Sequence, residues 1–132
     1  MKVKIERFEE AGEDMVKIVV NESFTQYYNL CTFQDSNAMY SHILGYTLSE
    51  LFDKWSYEVQ GEYLCDDDCD KIYTCRVYYD AELVIESSYN EYNGFGDGVG
   101  IVQTIDAFAE FDIDVEIEQE SCSGGWCYDE IV

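Results

Sequence analysis

The chain has 132 residues, one domain by length, with 29 acidic against seven basic side chains and a formal charge of −22. Its 47% hydrophobic content, twelve Tyr, seven Phe and two Trp exclude the disordered acidic tail, which is poor in such residues. Anionic lipid and nucleic acid would both repel this charge, so neither membrane nor DNA is an expected direct ligand.

The N-terminal run MKVKIERFEE alternates charged and apolar residues and lacks the apolar core of a signal peptide. No stretch approaches the roughly 18 uninterrupted apolar residues of a membrane span. A cytoplasmic protein is expected. Val3, Ile5 and Arg7 share one side of this first β-like run, with Lys4, Glu6 and Phe8 on the other. A polar turn over Ala11-Gly12-Glu13-Asp14 precedes a second β-like run, MVKIVV, which predicts a hairpin.

Asn21 to Glu58 reads as helical. Asn21 or Ser23 is placed to cap a segment holding Phe24, Tyr27, Tyr28 and Cys31. Asp35 or Ser36 is placed to cap a second, with Met39, His42 and Ile43 at helical spacing. Thr47-Leu48-Ser49-Glu50 fits a capping box, and Leu48, Leu51, Phe52 and Trp55 form the stripe of a third helix.

From Tyr57 the pattern turns to strands. Tyr57–Leu64, Lys71–Tyr79 and Glu82–Ser88 are rich in β-branched and aromatic residues and predict an antiparallel meander. Tyr89–Gly100 reads as a glycine-rich loop, and Ile101, Ile105, Phe108 and Ala109 as a short helix. Phe111–Glu120 alternates apolar and acidic residues. A last hairpin is expected to turn at Ser123-Gly124-Gly125 and run to Val132. The resulting expectation is an α+β domain over residues 1–132: an antiparallel sheet with an N-terminal hairpin and three to four helices packed on it.

The charge is unevenly distributed. Residues 1–76 hold all seven bases and 15 acids, whereas residues 77–132 hold 14 acids and no base. On a strand, Asp112, Asp114, Glu116, Glu118 and Glu120 would line one face about 6.6–6.8 Å apart. Successive phosphates of a DNA strand lie roughly 6–7 Å apart through space, an estimate built on their axial rise. Such a row can occupy Arg and Lys sites that otherwise grip a phosphate backbone. The plainer alternative is the solvent face of an amphipathic strand. The lack of a nearby Lys or Arg in the sequence favours a binding role, since solvent faces usually intersperse Lys. Further acids for such a surface are Asp66, Asp67, Asp68, Asp70, Glu82, Glu86, Glu91, Asp129 and Glu130.

No enzyme, cofactor or metal is expected. Cys65, Cys69 and Cys75 with Cys122 and Cys127 give looser spacings than paired zinc knuckles, and reduced thiols are the simpler reading. Asp66, Asp67, Asp68 and Asp70 lack the glycine and glutamate of an EF-hand loop. His42 is the sole histidine, and no G-x-S-x-G frame accompanies it. GFGDGVG has no Lys and is not a phosphate-binding loop.

In size, acidity and its D-x-D-x-E-x-E-x-E row, the chain resembles the small acidic inhibitors that phages and mobile elements carry against host defences. These are the anti-CRISPR, anti-restriction and uracil-glycosylase-inhibitor proteins. The resemblance implies a DNA mimic that binds a basic nucleic-acid-binding protein, such as a CRISPR effector or another defence nuclease. An immunity protein or antitoxin against a basic toxin nuclease is the alternative, and an acidic structural module is a third.

Overall fold

A computed structural model describes residues 1–29, 38–63, 71–90 and 99–119, of which 38–39, 62–63, 71–72, 89–90 and 119 are described as backbone only. The chain divides into two compact units, residues 1–33 with 101–132 and residues 34–100.

The first unit is built on a sheet of four strands: β1 (Lys2–Glu10), β2 (Glu13–Val20), β3 (Phe24–Asn29) and, late in the chain, β7 (Asp114–Gln119). Their order is β3-β2-β1-β7. The β1–β2 hairpin closes through Ala11 and Gly12, with φ of 54° and 80°. Positive φ at both central residues is the turn whose twist matches that of paired strands. Alternation places Val3 and Ile5 of β1 and Val16, Ile18 and Val20 of β2 in the core. Arg7 shares this face and is also buried, with Nη2 3.9 Å from Asp14 Oδ2. Helix α2 (Ile101–Ala109) packs against β7 and adds Ile101, Thr104 and Phe108 to the buried set. Phe108 O then accepts from both Phe111 N and Ile113 N, turning the chain into β7.

The second unit pairs a three-stranded antiparallel sheet with one helix, α1 (Ala38–Leu51). The strands β4 (Trp55–Tyr63), β5 (Lys71–Tyr79) and β6 (Glu82–Asn90) form the expected meander. Asp80 and Ala81, both at positive φ, make the β5–β6 turn. α1 packs on all three strands. Its Tyr40, Ile43, Leu44 and Leu48 are buried, as are Cys75, Val77 and Ile85 of the sheet. Gly45 sets how closely helix and sheet approach, because a Cβ there would overlap the Val77 side chain. Gly45→Ala is therefore expected to lower urea-unfolding stability by about 1–3 kcal/mol through overpacking. This outweighs the helix-propensity gain of about 1 kcal/mol. Adding Val77→Ala should recover part of the loss. An unchanged or raised stability for Gly45→Ala would contradict this packing.

The expected α+β fold with three to four helices on one antiparallel sheet is overturned. The described residues form seven strands in two sheets and only two helices, and β7 runs parallel to β1. The segment expected as a first helix is β3, because pairing with β2 satisfies its backbone and overrides a spacing that suited either structure. The expected second and third helices are one: Thr47 lies inside α1, where its Oγ1 donates to Ile43 O at 2.8 Å instead of capping. Trp55 opens β4 and does not extend the helical stripe. The expected cap at Asp35 or Ser36 and the hairpin over 122–132 lie outside the described residues.

Candidate partner-binding surface

Three of the five carboxylates in the expected row stand on β7. Asp114, Glu116 and Glu118 are exposed at alternate positions, while Val115 between them is buried and Ile117 is half-buried. The interval along this face is about 6.6–6.8 Å. Asp112 is exposed but precedes the strand at φ 60°, and its carbonyl accepts the N-terminal ammonium of Met1 at 3.0 Å. It therefore belongs to the turn and not to the row. Glu120 lies outside the described residues, as do Asp66, Asp67, Asp68, Asp70, Glu91, Asp129 and Glu130. Glu82 and Glu86 are exposed on β6, in the second unit.

The row has basic neighbours after all. Parallel pairing sets Lys2 beside Asp114 and Lys4 beside Glu116. Lys4 Nζ lies 3.1 Å from Glu6 and 3.4 Å from Glu118, and Glu6 is 3.8 Å from Lys17. The hydrogen bond that Lys4 donates to Glu6, followed by the charge of Glu118, raises the Lys4 pKa. The outward face is thus a ladder of alternating sign, Lys17–Glu6–Lys4–Glu118, with Asp114 and Glu116 beyond it. A depression of ≈ 410 Å³ on this face is lined by Lys2, Lys4, Lys17, Asp114 and Glu116 among others. Sequence distance hid this arrangement: β1 and β7 lie more than 100 positions apart, and alternation identifies a strand without naming its neighbour.

Charges on the second sheet are similarly organised. Arg76 Nε donates to Glu86 at 2.6 Å, Arg76 Nη1 is 3.6 Å from Glu58, and Tyr78 donates to Glu58 at 2.8 Å. The bond to Glu86 is the main cause of the raised Arg76 pKa. Glu86, an expected contact residue, is therefore engaged within its own sheet.

Among the described residues, no group of three or more His, Cys, Asp or Glu is arranged to hold a metal ion. Cys75 is buried, and burial pushes its thiol up to about 12 against a smaller opposing effect of its bond with Ser87. Such a thiol stays protonated and is not a nucleophile. The other cysteines considered for zinc, Cys65, Cys69, Cys122 and Cys127, lie outside the described residues. His42 on α1 is buried and hydrogen-bonded through Nε2 to the Tyr57 hydroxyl on β4. Tyr46 packs edge-on against Tyr57, with ring centroids 5.8 Å apart. Burial lowers the His42 pKa to about 4. It is a neutral packed residue near pH 7. No described helix is long and apolar enough to cross a membrane.

Compared with protein-family models, curated proteins and solved structures, the chain finds no match in any of the three. Its functional reading therefore rests on charge and on the geometry of β7.

Proposed function

We propose that this protein is a non-enzymatic inhibitor that binds the nucleic-acid groove of a basic protein, a host-defence nuclease such as a CRISPR effector, by imitating phosphate charge. The observation that carries the reading is a formal charge of −22 combined with exposed carboxylates at alternate positions on β7, an outer strand among the described residues. Asp114 and Glu116 are the principal contacts, since Glu118 is shared with Lys4. Long-range attraction would speed the encounter, and close pairing with Arg and Lys would hold the complex. The ten acids outside the described residues, accompanied by no base, add to the same field.

Immobilised protein exposed to host lysate should retain a nucleic-acid-binding nuclease, and duplex DNA should release it. Retention of a protein that DNA does not displace would contradict the proposal.

A further inference from the structure

We draw no further inference here: the strongest candidate, the depression on the outward face of the first sheet where Glu22, Asp114 and Glu116 gather beside Lys2, belongs to the surface already described and is an acidic cluster at which nothing among the described residues points to a ligand.

Discussion

Asp114→Asn with Glu116→Gln should weaken binding to the proposed nuclease partner about 100-fold, whereas Glu118→Gln alone should change it only a few-fold. Close charge pairs across a protein interface couple by about 1.5 kcal/mol or more, and two such pairs correspond to roughly that loss. The asymmetry follows from the ladder on the outward face. Glu118 already shares Lys4 with Glu6, so part of its charge is spent within the sheet. Asp114 and Glu116 lie beside Lys2 and Lys4 in register and form no short ion pair with either among the described residues. All three are exposed, so these substitutions should leave stability within about 0.5 kcal/mol. Titration of the variants against the captured partner measures the effect. Equal losses for Glu118→Gln and the Asp114/Glu116 pair would contradict the ladder, and no loss at all would remove β7 from the interface.

Stability should fall by about 2 kcal/mol between pH 7 and pH 5, and His42 should account for the fall. Its pKa in the folded protein is about 4, against 6.5 as the ordinary value. The unfolded chain therefore binds more protons than the folded one throughout the interval between those values. Stability must then decline as pH drops through about 6.5 and continue to decline toward 4. The cause is desolvation: α1 and β4 enclose the ring beside Tyr57, and a charged imidazolium would be removed from water there. Urea midpoints measured from pH 7 to pH 5 test it, with His42→Gln expected to flatten the slope. A wild-type midpoint that is constant or rises toward pH 5 would contradict the burial of a neutral His42.

Much of the strand structure was legible because backbone chemistry and side-chain pattern agree there. Ala11-Gly12 between alternating runs marked the first hairpin, and the runs flanking Asp80-Ala81 marked the meander. Agreement failed at Phe24–Asn29. Phe24, Tyr27 and Tyr28 fit a helical stripe, but Phe24, Gln26 and Tyr28 also fit one strand face, and pairing with β2 decided between them. Thr47-Leu48-Ser49-Glu50 failed for another reason. A capping motif is informative only where a helix begins, and α1 already has nine residues before Thr47. On β7 the alternation of carboxylates was readable, as was its outward direction. The lysines beside it were not, because the parallel pairing with β1 joins the two ends of the described chain. The loss of Asp112 from the row follows from a positive φ that its residue type permits but does not require.

As a proposed phosphate mimic, the chain would occupy a site that nucleic acid otherwise fills. The most direct test of that occupancy follows labelled duplex DNA bound to the purified partner while this protein is added, as salt rises from about 0.1 M to 1 M and the Debye length shrinks from about 10 Å to 3 Å. The expected result is complete displacement of the DNA at low salt, with affinity of the protein for its partner falling steeply as salt increases. A stable ternary complex with DNA still bound, or an affinity indifferent to salt, would contradict it.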